Sequence, residues 1–172
     1  PQSNVRTDRY GGDWENRCRF IAEIVTAIRK ECGSSFIVGL KLPGDDGLPG
    51  GIGPESAAVI ASILTASKEV SYVCFAQGTH ANSLEMHIPD RFGPRTPYRE
   101  LIRALRRSIP GTPLMSLGRI SDPAEADAIL DAGEAELIGM GRALIADPAW
   151  PIKVMQSRIN EIRYCLACNT CW

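Results

Sequence analysis

The chain has 172 residues, 44% hydrophobic and 23% charged, with a net charge of −1. That is enough apolar material for one sizeable core, and too even a charge balance to point to nucleic acid or an anionic membrane as partner. No apolar run approaches the roughly 20 residues of a membrane span, and the opening "PQSNVRTDRYGG" lacks the basic-then-apolar order of a signal peptide. Half of the six cysteines cluster at one end, which fits a reducing, cytoplasmic setting better than a secreted disulfide scaffold.

Apolar residues at Phe20, Ile21, Ile24, Val25 and Ile28 have helical spacing. They predict a helix over 13–33, with Asp13 as N-cap and Gly33 as its stop. "FIVGLKL" (36–42) reads as a buried strand, 53–67 as an Ala/Ile/Leu-rich helix, and "VSYVCFA" (70–76) as the next strand. A long loop over about 77–97 carries His80 and His87, which suit surface or substrate-loop roles better than metal ligation. Then come a helix with a basic outer face (98–109), a strand (112–118) and a helix (122–133) with Asp122 as N-cap and Pro123 at its first position. A strand over 135–141 and a broken helix over 147–159 finish the pattern. Cys18, Cys32 and Cys74 fall inside helix or strand patterns and read as core residues.

Strand–helix alternation with strands apolar along their length implies a parallel sheet covered by helices. A doubly wound sheet and part of a TIM barrel both fit. A whole barrel has eight strands and about 250 residues, so four strands make half of one. In either architecture the chemistry gathers at the C-terminal strand ends. Those ends offer Lys41, Gln77-Gly78, Gly118-Arg119 and Gly141-Arg142. Glycine lets backbone N–H groups approach an anion, and arginine adds a forked cationic donor. Two Gly-Arg turns after consecutive strands favour a phosphate site of the kind barrels place after their last two strands. No GxGxxG follows a first strand, so a Rossmann dinucleotide site is not indicated. The dense polar stretch "RTDRYGGDWENR" reads as an ion-pair network ordering a loop rather than as catalytic residues.

Cys165, Cys168 and Cys171 have the Cys-x2-Cys-x2-Cys spacing with which one loop wraps an iron–sulfur cluster. Structural zinc also uses Cys-x2-Cys, but with a second pair at a distance. No such pair is present, so the triplet favours iron–sulfur, with zinc as the alternative.

"NVRTDRYGGDWENRCRF" (4–20) and "LGRISDPAEADAILDAGEAELIGMGRALIADP" (117–148) resemble the signature segments of the old yellow enzyme superfamily, the FMN-dependent NADH:flavin oxidoreductases. "CLACNTCW" resembles the cluster loop of its iron–sulfur branch, which includes 2,4-dienoyl-CoA reductase and trimethylamine dehydrogenase. The resemblance implies an α/β fold: the second half of a TIM barrel, strands five to eight with their helices, followed by a Cys-rich loop. Residues 1–163 would be the partial FMN-binding barrel and 164–172 the start of a truncated cluster segment, whose fourth ligand lies beyond the chain. The implied cofactors are FMN, a four-iron cluster, NAD(P)H as electron donor and a second flavin in a further domain. Lys41 would stand where the family has an arginine on the flavin. Gly118-Arg119 and Gly141-Arg142 would hold the FMN phosphate, and Cys165, Cys168 and Cys171 would ligate the cluster. The implied function is hydride transfer to an activated carbon–carbon double bond, or oxidation of an amine, by a longer parent; the catalytic residues would lie upstream. The alternatives are a non-enzymatic phosphate- or zinc-binding module and an inactive remnant. The implied partner is a small-molecule substrate, with self-association possible. The half-barrel would leave open edges at 36–42 and 135–141, and an inward face of Val38, Leu40, Val73, Phe75, Leu114 and Ile138 without its opposing packing.

Overall fold

The computed structural model describes residues 2–171. Its first helix, α1 (Trp14–Cys32), begins where Asp13 Oδ1 accepts the Asn16 N–H at 2.9 Å and stops at Gly33, whose φ of 81° suits glycine. Before it, residues 4–13 form the expected polar network. Arg6 pairs with Asp8, Arg9 pairs with Glu23 at 2.8 Å, and Arg17 donates to the Asn4 carbonyl at 3.0 Å. At the other end of α1, Arg29 donates to the Glu69 carbonyl and to Ser71 Oγ, which fixes the helix against the entry to the second strand.

The sheet has four parallel strands in the order β1 (Gly39–Asp45), β2 (Tyr72–Gln77), β3 (Leu114–Ser116) and β4 (Leu137–Ile138). Spatial order follows chain order, as in a TIM barrel and unlike a doubly wound sheet, whose order reverses at a switch point. Between strands run α2 (Pro54–Thr65), α3 (Leu84–His87), α4 (Arg99–Arg106) and α5 (Pro123–Asp131); α6 (Arg142–Ala146), α7 (Trp150–Met155) and a 3-10 turn (Ile159–Glu161) follow β4. Asp122 caps α5 by accepting the Ala124 N–H at 3.0 Å, with Pro123 in the first turn.

Side chains alternate across each strand, so the parallel register assigns every residue to one of two faces. Leu42, Val73, Phe75 and Leu114 share a face and pack with Ile60 and Leu64 of α2, Ile102 and Leu105 of α4 and Ile129 of α5. Val73, Phe75 and Leu114 are completely buried. The opposite face carries Gly39, Lys41, Tyr72, Cys74, Met115 and Leu137.

Several expectations need correction. Val73, Phe75 and Leu114 do not face an empty barrel interior; they lie beneath the helices, because the strand phase is the opposite of the one expected. β1 starts at Gly39 rather than residue 36, since pairing begins at Gly39↔Tyr72; Phe36 and Ile37 are 51% and 72% exposed. It also runs to Asp45, through Pro43, which an edge strand tolerates because one side of its ladder needs no donor. Lys41 is therefore inside the strand rather than at its end. Cys32 ends α1 exposed, while Cys18 and Cys74 are buried as expected. The expected helix over 147–159 is α7 and a 3-10 turn, with α6 ahead of them. The basic face of α4 is neutralised within the chain: Arg99 and Arg103 pair with Glu134, and Arg106 pairs with Glu136.

Candidate anion cleft and cysteine loop

At the C-terminal ends of the strands lies a cleft of about 380 Å3. Lys41, Gly118, Arg119, Gly141 and Arg142 all line it, together with His87, Tyr98 and Cys165. The parallel sheet causes this convergence. It delivers the loops after β3 and β4 to one rim, so Gly-Arg pairs distant in sequence become neighbours. Gly118 has φ 101°, and a Cβ there would lie 2.7 Å from the Tyr98 ring, so only glycine fits. Tyr98 is pinned by its hydroxyl, which donates to the Met86 and His87 carbonyls at 2.7 and 2.8 Å. Burial pushes its phenol pKa up, so the hydroxyl stays a donor.

Both cleft arginines are oriented by neutral acceptors. Arg119, itself at φ 59°, donates through Nη1 to the carbonyls of Gly93 and Pro94 at 2.5 and 3.1 Å. Arg142 donates to Asn169 Oδ1 and, through Nη2, to the Pro89 carbonyl at 2.9 Å. Among the described residues neither has a carboxylate within ion-pair distance, whereas Arg95, Arg99, Arg103 and Arg106 all do. A guanidinium held by carbonyls keeps its charge for a ligand, and two on one rim suit a phosphate. Lys41 adds a third positive charge. On its neighbour Cys74, burial raises the thiol pKa and the Lys41 charge opposes that rise. His87 Nδ1 lies 3.0 Å from the Gln77 carbonyl, which can only accept, so that nitrogen carries a proton.

The cysteine loop folds back onto this cleft. Asp147 anchors its approach: wholly buried, it accepts from Lys153 Nζ at 2.6 Å and from the Arg163 N–H at 2.9 Å. Beyond it the loop coils through two left-handed residues, Ala167 (φ 50°) and Asn169 (φ 59°). The Arg91 N–H donates to the Ala167 carbonyl at 2.9 Å, and Asn169 Nδ2 donates to the Ile88 carbonyl at 3.1 Å. Cys165 faces the cleft, while Cys168 and Cys171 are exposed. Thr170 Oγ1 donates to the Cys168 sulfur at 3.3 Å and draws that thiol below its usual range, toward the thiolate that metals bind. The donor chemistry of three thiols on one coiled loop fits iron. Among the described residues, however, the three do not gather into a metal-binding group; Trp172 lies outside those residues. The His80 and His87 rings meet at the edge of the cleft, their centres 4.4 Å apart and their planes tilted by 49°. Sequence reasoning did not single out Asp147 or Asn169; the clue to Asn169 was an asparagine, tolerant of left-handed backbone, between two cysteines.

Residues 1–161 match the NADH:flavin oxidoreductase / NADH oxidase family. The N,N-dimethylglycine/sarcosine dehydrogenase of Chromohalobacter salexigens is 35% identical over 99% of this chain and 25% of its own length. The NADH oxidase of Thermoanaerobacter brockii is 33% identical over 98% of this chain and 26% of its own length. The solved complex of 2-naphthoyl-CoA reductase with 2-naphthoyl-CoA superimposes with a TM-score of 0.90 at 30% identity, over 98% of this chain and 25% of that one. The chain thus spans about a quarter of the length of the curated relatives it matches. No helix among the described residues is long and apolar enough to cross a membrane.

Proposed function

The chain belongs to the NADH:flavin oxidoreductase / NADH oxidase family, and from that premise we propose that it supplies the phosphate-binding side of an FMN site in a longer oxidoreductase. The observation that carries this reading is the cleft itself: Lys41, Gly118, Arg119, Gly141 and Arg142 on one rim, with no carboxylate paired to either arginine among the described residues. Arg119 and Arg142 hold the phosphate. Lys41, on the open face of the sheet, interacts with the flavin; its ammonium keeps the charge of the family's arginine without the fork. When bound, FMN supplies hydride transfer between NAD(P)H and substrate. The protein's part is to fix its position and surround it with charge.

The substrate is a small molecule carrying an activated carbon–carbon double bond or an oxidisable amine. The similar proteins include one named for amines and one for an aromatic acyl-CoA. Cys165, Cys168 and Cys171 supply three ligands to an iron–sulfur cluster, with the fourth from outside this chain. Such a cluster would pass electrons between this site and a second flavin. The soluble assembly acts in the cytoplasm. Gathering the thiols requires the exposed Cys168 and Cys171 to turn toward Cys165.

Substitution tests the flavin site. In the full-length protein, Arg119→Ala and Arg142→Ala should each weaken FMN binding by about 1–3 kcal/mol, the cost of a lost charged hydrogen bond. Fluorescence titration reads this, and unchanged affinity in both variants overturns the site. Anaerobic purification should give iron with acid-labile sulfide; stoichiometric zinc without sulfide would overturn the cluster.

A further inference from the structure

Asn169 does more than occupy a gap between ligands. Its side-chain amide is satisfied at both ends by groups with only one possible role: the Arg142 guanidinium can only donate, and the Ile88 carbonyl can only accept. The amide orientation is thereby fixed. Its backbone, at φ 59°, lies in the left-handed region that asparagine enters more readily than most residues. Arg142 carries five N–H donors, of which Asn169 and the Pro89 carbonyl each take one. The rest, and the whole positive charge, are left for a ligand. Because Asn169 lies between Cys168 and Cys171, the residue that sets this arginine belongs to the cysteine loop rather than to the sheet.

We propose that Asn169 is a positioning residue, holding the Arg142 fork ready for the flavin phosphate from within the cysteine loop. This rests on the reading of the cleft given above. A neutral acceptor is required: a carboxylate in the same place would orient the arginine and also cancel the charge on which phosphate binding depends.

The test compares FMN with riboflavin, which lacks the phosphate, by fluorescence titration of the full-length protein. Asn169→Ala should lower FMN affinity about tenfold, as expected for loss of a hydrogen bond to a charged group, and leave riboflavin affinity within about twofold. Asn169→Asp, nearly isosteric and equally tolerant of the backbone, should lower FMN affinity at least as far. Combining Asn169→Ala with Arg142→Ala should cost no more than Arg142→Ala alone. Equal losses of FMN and riboflavin would mean a purely structural role and overturn the proposal. So would an unchanged FMN-to-riboflavin ratio in both Asn169 variants while Arg142→Ala alters it. If Arg142→Ala also leaves the ratio unchanged, the reading of the cleft has failed, and the proposal with it.

Discussion

The two faces of the sheet are made from the same four strands and live in different environments. On one, Val73, Phe75 and Leu114 are completely enclosed by α2, α4 and α5. On the other, Lys41 is exposed, Leu137 is 39% exposed, the Tyr72 ring lies across Gly39, and Met115 packs over Gly139. Apolar burial, the main source of stability, is concentrated on the helix side. The open side holds Lys41 of the cleft and a mixture of aromatic, thiol and thioether groups, of which Cys74 is buried while Tyr72 and Met115 are only half-buried. Residues beneath the helices should therefore be sensitive to volume and insensitive to charge chemistry, and residues on the open face the reverse.

The largest expected effect is on the covered face. Phe75→Ala should cost about 3–5 kcal/mol in urea unfolding, from lost transfer energy plus a cavity. Leu137→Ala, on the open face, should cost about 1 kcal/mol or less. Similar values for the two would mean that the open face is covered by something else. Smaller and opposite in sign is Ser116→Ala. Among the described residues, the Ser116 hydroxyl is buried on the helix side without a hydrogen-bond partner. Removing it should raise stability by about 1 kcal/mol; destabilisation would mean that a buried water satisfies it.

A further effect appears only in acid, at the base of the cysteine loop. Lys153, and then the Arg163 N–H, hold the Asp147 carboxyl at about 2, against an ordinary value of 3.8. A folded-state pKa below the unfolded one gives stability that is present above pH 3.8 and lost as pH falls through about 2. Asp147→Asn should remove that loss, leaving a flatter stability profile across this window. An unchanged acid slope would assign the acid sensitivity elsewhere.

Much of this was legible in the sequence. Asp13, Gly33, Asp122 and Pro123 mark helix ends through local hydrogen bonding and backbone preference, so local sequence suffices to read them. The alternation of strands and helices gave the parallel sheet, and the two Gly-Arg pairs pointed to the rim where the cleft lies. Strand phase was not legible. A continuous apolar run such as "FIVGLKL" fits a sheet buried on both faces and does not say which residues face the helices; pairing partners decide that. Nor could the sequence show which arginines are spent on ion pairs. Arg99 and Arg119 look alike until folding brings the Glu134 carboxylate to one and the Gly93 and Pro94 carbonyls to the other.

The junction that holds the cysteine loop can also be viewed as polymer topology. Ile88 and Asn169 are 81 residues apart, Pro89 and Arg142 are 53 apart, and Arg142 and Asn169 are 27 apart. Because the third span is nearly the difference of the first two, these bonds close only two independent loops of chain. Once any two have formed, the third adds an interaction at almost no further cost in loop-closure entropy. The three are therefore expected to form and release as a unit, like a knot drawn by its last loop. Removing the Asn169 amide subtracts two of its strands, but the Arg142–Pro89 bond and the separate Arg91–Ala167 bond still tether the same segments.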